Sequence, residues 1–358
     1  MDKRIVLITG SSGLIGHAVA RRLSTKYQIV GFDHEGPPEQ IDSDDMFVNL
    51  GSDESVQNAF HILRARWGME IDSVVHLAAY YDFSGAPSKL YDQVTVEGTG
   101  RMLRELKDMQ CHQFIFSSTM LVHAPSEPGQ EISEDWPLKP KWAYPKSKVK
   151  TENVILEQHG DIPAVVLRIA GVYDQFCHSI PIAHQIQRIY ERRLLGHVFP
   201  GDLSHGQSFV HVDDVVDAIV AAVERRDELP RELTALIGEQ TTYSYGELQR
   251  EIGELLYGKD WKTIAMPKSL AKTGATLEEA LHLPHDQFIK PWMIDIADDH
   301  YELDIARAKQ YLGWIPAHDL RETLPAMIEA LKIDPLRFYE LNKLHIPHWM
   351  EAQQRKAA

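Results

Sequence analysis

The chain has 358 residues, 44% of them hydrophobic and 25% charged, enough for a sizeable core and for more than one average domain. Its net charge of −15 argues against a general nucleic-acid binder, which needs a basic face to displace counterions. Its two cysteines, Cys111 and Cys177, are too few for a disulfide framework or a cysteine zinc site, and are expected to be free thiols in a reducing compartment.

The first residues, Met1-Asp2-Lys3-Arg4, run straight into the strand "RIVLIT", with no leader-like apolar run between. "LIGHAVARRLS" follows as a helix, then "QIVGFD" as a second strand and "MFVNL" as a weaker third. "SVQNAFHILRARW" has helical spacing, and "SVVHLAA" is a wholly apolar strand. A long helix over "LYDQVTVEGTGRMLRELKDM", the strand "HQFIFSS", the helix "YPKSKVKTENVILEQH" and the strand "AVVLRI" complete the alternation. Apolar strands separated by helices predict an α/β doubly wound parallel sheet covered on both faces, with its ligand site at the C-terminal strand ends.

Beyond residue 174 the rhythm changes. "SIPIAHQIQRIYERRLLG" is helical, "HVFPGDLSHGQ" reads as a loop, and "SFVHVDDVVDAIVAAVERR" returns to strand and helix. The organisation expected is a dinucleotide-binding domain over 1–174 and 208–239. A smaller, interleaved C-terminal substrate domain is expected over 175–207 and 240–330, with a C-terminal extension over 331–358. No apolar run of about 18 residues suggests a membrane span. A cytoplasmic protein with a small-molecule substrate, and with neither nucleic acid nor membrane as partner, is expected.

Gly10, Gly13 and Gly16 stand between the first strand and the first helix. Gly10 allows a tight turn, Gly13 lets backbone approach a pyrophosphate, and Gly16 lets the helix pack close to the sheet. The helix start offers unpaired N–H groups to phosphates. Asp33 ends the second strand, where a carboxylate accepts from a ribose 2′-hydroxyl and repels a 2′-phosphate, which favours NAD over NADP. Tyr144 and Lys148 share a helix face at i and i+4. An ammonium beside a phenol favours the phenolate, so this tyrosine suits proton transfer at a substrate hydroxyl. Ser117, Ser118 and Thr119 end a strand at the expected crevice.

These motifs resemble the extended short-chain dehydrogenase/reductase family, the NAD-dependent epimerase/dehydratase group with a Rossmann fold. "TGSSGLIG" fits its glycine loop, "HLAA" (76–79) its fourth-strand segment, "VEGT" (96–99) the next helix and "YPKSK" its YxxxK pair. "LRIAGVY", "SFVHVDDVVDAI" and "LGWIP" follow in the family's order. The resemblance implies Tyr144 as general acid/base, Lys148 as the group that lowers its pKa and holds the nicotinamide ribose, and Thr119, with Ser118 second, as the active-site hydroxyl. It implies NAD as cofactor, bound by Gly10, Ser12, Gly13, Leu14, Ile15, Gly16 and Asp33. Asn49, Leu50, Leu77, Ala78, Ala79, Ile169 and Gly171 are the further cofactor contacts it implies, together with Tyr144 and Lys148. A homodimer through the helix around 90–109 and the helix after Tyr144 is usual in such a family.

The departures bear on the substrate. Thr95 replaces the asparagine usual before "VxGT". Gly171 and Gln207-Ser208 stand where nucleotide-sugar epimerases often place an asparagine and an arginine. Arg188, Arg192 and Arg193 are either substitutes for that arginine or a solvated basic face. Met120-Leu121 replace the acid pair of the 4,6-dehydratases. Tyr80, Tyr81 and Phe83 either line the crevice or pack under the second domain. Adjacent Asp298, Asp299 and His300 are read as surface or capping groups, so no metal is expected. Three readings stay open: an NAD-dependent oxidoreductase acting on a secondary alcohol or ketone, a sugar or nucleotide-sugar epimerase with retained NAD, and a non-enzymatic NAD-binding regulator.

Overall fold

A computed structural model describes residues 4–82, 85–273 and 290–350. Its centre is a parallel sheet of β1 (Ile5–Thr9), β2 (Gln28–Asp33), β3 (Ser43–Phe47), β4 (Ser73–His76), β5 (Phe114–Thr119), β6 (Ala164–Ile169) and β7 (Glu232–Ile237). The spatial order is β7-β6-β5-β4-β1-β2-β3. Successive strands step outward from β1 in one direction and from β4 in the other. The reversal between β1 and β4 opens a crevice at their C-terminal ends.

Side chains alternate across each strand. Val6 and Ile8 of β1 enter the core on one face, while Ile5 and Leu7 enter the core on the other. The first face carries α1 (Leu14–Leu23) and, from later in the chain, a helix over Val212–Glu224. The second carries α2 (Asp53–Trp67), α3 (Glu97–Leu106) and α4 (Ala143–Gln158). Burying one such aliphatic or aromatic side chain stabilises the fold by about 1.5–3 kcal/mol. This two-faced burial is why the strands read as unbroken apolar runs.

Three expectations need correction. The third strand covers Ser43–Phe47 rather than "MFVNL". It is an edge strand whose residues are half-buried or exposed, so it needs no apolar run. Val48 and Leu50 turn into the core after it ends. The helix expected over 90–109 is a π-helical turn, Tyr91–Val96, followed by α3. The segment "HVFPGDLSHGQ" holds two short strands, Val198–Pro200 parallel to Ile264–Met266 and Gly206–Gln207 antiparallel to Tyr243–Ser244. Their partners are distant in sequence, so local pattern carries no trace of them.

A third core gathers α5 (Ile180–Tyr190), a helix over Tyr245–Tyr257, a helix over Leu320–Ile333 and the segment from Pro335 to Met350. Tyr301, Leu303, Ile305, Ala308, Leu312 and Trp314 pack instead on the first sheet face. Trp314 Nε1 donates to the Asp214 carbonyl at 2.8 Å, and the Asp214 carboxylate accepts from Ala317 N and His318 N, both at 3.0 Å. This ties "LGWIP" to the start of the Val212–Glu224 helix. Among the described residues no helix is long and apolar enough to cross a membrane.

Candidate active site

The glycine loop lies at one side of the crevice. Gly10 has φ +73°, and a Cβ there would come within 2.9 Å of Ala78 N. A Cβ on Gly16 would lie 2.0 Å from Gly10 O, so only glycine lets α1 approach the turn. Gly13 differs. A Cβ there would meet only Gly10 O, at 3.4 Å, so the protein's own packing does not fill the space before the helix. Gly13 is also the N-cap of α1 and supplies no side-chain cap. Leu14 is exposed and Ile15 half-buried. The first-turn N–H groups are therefore left for an anion.

Asp33 faces this loop. Its Oδ2 accepts from Ser12 N at 2.8 Å, and its Oδ1 accepts from His34 N at 2.7 Å. Ser12 Oγ donates to the Glu35 carbonyl at 2.9 Å. Asn49 turns its Oδ1 to Gly51 N at 2.9 Å, so its side chain closes a turn. Buried Leu50 packs where Gly98 of "VEGT" has no side chain: a Cβ there would lie 3.1 Å from Leu50 Cβ. Leu77, Ala78 and Ala79 continue β4 at the same end. Ile169 ends β6 opposite Thr119, and Gly171 pairs with Phe209, whose ring a Cβ would meet at 2.8 Å. The glycine turn, the uncapped helix start and Asp33 fit a dinucleotide.

A buried network that sequence alone did not reveal fixes the crevice floor. Thr9 Oγ1 and His76 Nδ1 are 2.7 Å apart, and His76 Nε2 lies 2.8 Å from Thr99 Oγ1. Burial, with the charge of Lys148, pushes the imidazole pKa down to about 3, so it stays neutral. Thr95 accepts from Tyr80 N at 2.9 Å, anchoring the loop after β4.

Across the crevice, Thr119 ends β5 and Tyr144 opens α4. Thr119 is hydrogen-bonded to the Tyr144 phenol, which pulls its pKa down, but burial dominates and holds it above the ordinary tyrosine value. Lys148 does not bond to Tyr144. Its Nζ donates to the Ser117 carbonyl at 2.7 Å and stands 5.7 Å from the Tyr144 ring centre. The expectation that Lys148 lowers the Tyr144 pKa is thus outweighed here by desolvation. Burial pushes the Lys148 pKa down to about 7, against the charge of Glu152, which raises it.

Ser118 does not join this group. Strand alternation turns its hydroxyl to the opposite face, where it donates to Glu152. Glu152 in turn pairs with Arg168 at 2.7 Å. Ser118, read as a second active-site hydroxyl, thus turns away from Tyr144 to Glu152.

Tyr81 and Trp142 flank Tyr144, with ring centres 4.8 and 5.4 Å away. Tyr80 packs edge-on against Tyr91 at 4.9 Å, and Phe83 lies outside the described residues. Trp292 sits 5.1 Å from Trp142 and takes the space beside Gly85. Trp142 and Trp292 line a cavity of about 400 Å³ that reaches α5 and also carries Leu121 and Gln207 on its wall. Trp142 and Trp292 belong to no local pattern, and their meeting is a matter of tertiary packing.

The three arginines of α5 and its end part company. Arg192 lies over the Tyr257 ring at 4.5 Å, Arg193 donates Nε to Glu191 at 2.6 Å, and only Arg188 lines the cavity. Asp298 pairs with Lys268, Asp299 with Lys141 at 2.6 Å, and His300 Nδ1 accepts from Gly206 N at 3.1 Å. The three neighbours point to three different places. Cys111 and Cys177 are free, and burial pushes both thiols up to about 12.

Residues 6–238 match the model of the NAD dependent epimerase/dehydratase family. The chain is 23% identical to a decarboxylating sterol-4-alpha-carboxylate 3-dehydrogenase of Candida albicans, over 92% of this chain and 98% of that protein. It is 27% identical to a dTDP-glucose 4,6-dehydratase of Streptomyces griseus, over 90% and 92%. A solved UDP-glucose 4-epimerase of Thermotoga maritima, with UDP-glucose, superposes with a TM-score of 0.68 at 22% identity, covering 92% of this chain and 99% of that one. That last likeness bears on the fold alone.

Proposed function

The chain belongs to the NAD dependent epimerase/dehydratase family, and from that premise we propose that it is an NAD-dependent oxidoreductase acting at a secondary alcohol or ketone carbon. Thr119, Tyr144 and Lys148 are its catalytic group. The observation that supports this best is their convergence across one crevice from the glycine loop and Asp33.

Bound NAD would accept or return the hydride at the substrate carbon. Thr119 orients the substrate oxygen. Tyr144, held as the neutral phenol by burial, donates its proton to that oxygen when a ketone is reduced, leaving the phenolate, and it is this phenolate that takes the proton when an alcohol is oxidised. Lys148, anchored on Ser117 O, stands beside the phenol and positions α4 against β5. Leu121 and buried Met120 follow Thr119, so no carboxylic acid adjoins it for elimination. We also place the protein as a cytoplasmic homodimer paired through α3 and α4, where Leu156 is exposed.

Epimerisation with retained NAD is the competing reading, favoured by relatives named as nucleotide-sugar epimerases. Mass spectrometry of the freshly purified, denatured protein separates the two. An empty protein that binds added NAD, and NADP more weakly, is expected for a dehydrogenase. Stoichiometric retained NAD supports the epimerase. An empty protein that binds neither nucleotide overturns both.

A further inference from the structure

We propose that the cavity beside Tyr144 takes an elongated apolar alcohol or ketone with an anionic head, and that Arg188 holds the head. The proposal rests on the reading of Tyr144 as the proton-transfer group and names the substrate class of that site.

The cavity, about 400 Å³, is within the usual range for small-molecule sites. Its walls are chiefly apolar: Leu121, Trp142, Phe199, Met266, Trp292 and Ile294. Trp142 places one side of it against the Tyr144 ring. Most of that wall is hydrocarbon, and a sugar hydroxyl set against it would be buried without a partner. Such walls suit a hydrocarbon body.

The cavity also carries polar groups left without partners. Lys141 is neutralised by Asp299 at 2.6 Å. Arg188 lines the cavity and has no carboxylate partner among the described residues. Burial and the nearby charge of Arg193 push its pKa down to about 10, so it stays cationic at neutral pH. Gln185, only 7% exposed, lines the same cavity with its Oε1 unpartnered. At i and i+3 on α5 the two side chains are neighbours. The guanidinium fork, in apolar surroundings, fits an anion, and the free Gln185 Oε1 beside it accepts from a hydroxyl or a protonated phosphate oxygen of the same head. The low dielectric strengthens that contact. The C-terminal segment braces α5 from behind: Gln187 Nε2 donates to the His345 carbonyl at 3.3 Å, and Tyr339 OH to Glu191 at 2.9 Å.

The test is binding, read without turnover by tryptophan fluorescence and calorimetry on the full chain with NAD present. Decanoate, decyl phosphate and decanol share one body and differ in the head; UDP-glucose is the rival. At least one anion is expected to bind about tenfold or more tighter than decanol, and the tighter of the two identifies the head as carboxylate or phosphate. Arg188→Met is expected to erase the preference, and Arg188→Lys to keep part of it. Decanol binding as tightly as both anions in the wild-type protein overturns the proposal, whether or not the variants fold. So does a preference that survives in folded Arg188→Met, or UDP-glucose binding tighter than every decyl probe. Tyr144→Phe keeps the two readings apart: its turnover tests Tyr144, whereas its anion preference, expected unchanged, tests the cavity.

Discussion

Lys148 donates to the Ser117 carbonyl at 2.7 Å, two residues before β5 ends in Thr119. Together with the Ser118–Glu152 bond it ties α4 to the strand, and Tyr144 and Thr119 meet at the strand's end. The Lys148 bond also buries an ammonium. A lysine whose pKa falls from 10.5 to about 7 on folding binds fewer protons folded than unfolded in that interval. Its contribution to stability therefore rises with pH from about 7 to 10.5, with a slope of up to about 1.4 kcal/mol per pH unit. Lys148→Met is expected to lose this slope, as measured by urea unfolding from pH 7 to 10. An unchanged slope overturns the assignment.

Tyr144→Phe is expected to lower turnover at least a hundredfold, with NAD affinity within about threefold of wild type by calorimetry. A hundredfold loss corresponds to about 2.7 kcal/mol of barrier. Turnover within about tenfold of wild type would remove the phenol from the mechanism.

Thr119→Ala and Ser118→Ala are adjacent changes with opposite expected outcomes. The first is expected to cut kcat at least tenfold at nearly constant stability. The second leaves kcat nearly unchanged and destabilises the fold by about 1–2 kcal/mol, because it frees Glu152 from a buried network. Equal kinetic losses from both would return Ser118 to the catalytic group.

Gly16→Ala and Gly13→Ala separate packing from binding. The Gly16 methyl would sit 2.0 Å from Gly10 O, so loss of soluble, folded protein is expected. The Gly13 methyl meets only Gly10 O at 3.4 Å, so the chain is expected to fold while NAD binding weakens tenfold or more. Normal NAD affinity in folded Gly13→Ala would place the pyrophosphate elsewhere.

Glu239 gives a second pH signature. Burial raises its pKa from 4.5 to about 7, although Tyr173 OH donates to it at 2.6 Å. A carboxyl with a raised pKa binds more protons folded than unfolded, so its contribution falls as pH rises from 4.5 to 7. Glu239→Gln is expected to flatten the thermal-stability profile over that range. A profile as steep as the wild type would rule this group out.

The sequence by itself determined the parallel α/β fold, the glycine turn, Asp33 at the second strand's end, and the Tyr144–Lys148 spacing. Each is a local pattern: an unbroken apolar run of strand length, a steric demand at one residue, or one helical turn. It misplaced the third strand because an edge strand buries little and needs no apolar run. Only the tertiary structure decided which of Ser118 and Thr119 faces Tyr144, since a one-residue step along a strand reverses the face. It alone sorted Arg188 from Arg192 and Arg193, brought Trp142 to Trp292 across 150 residues of chain, and desolvated Tyr144 and Lys148. Those are consequences of which distant segments meet, and no local spacing encodes them.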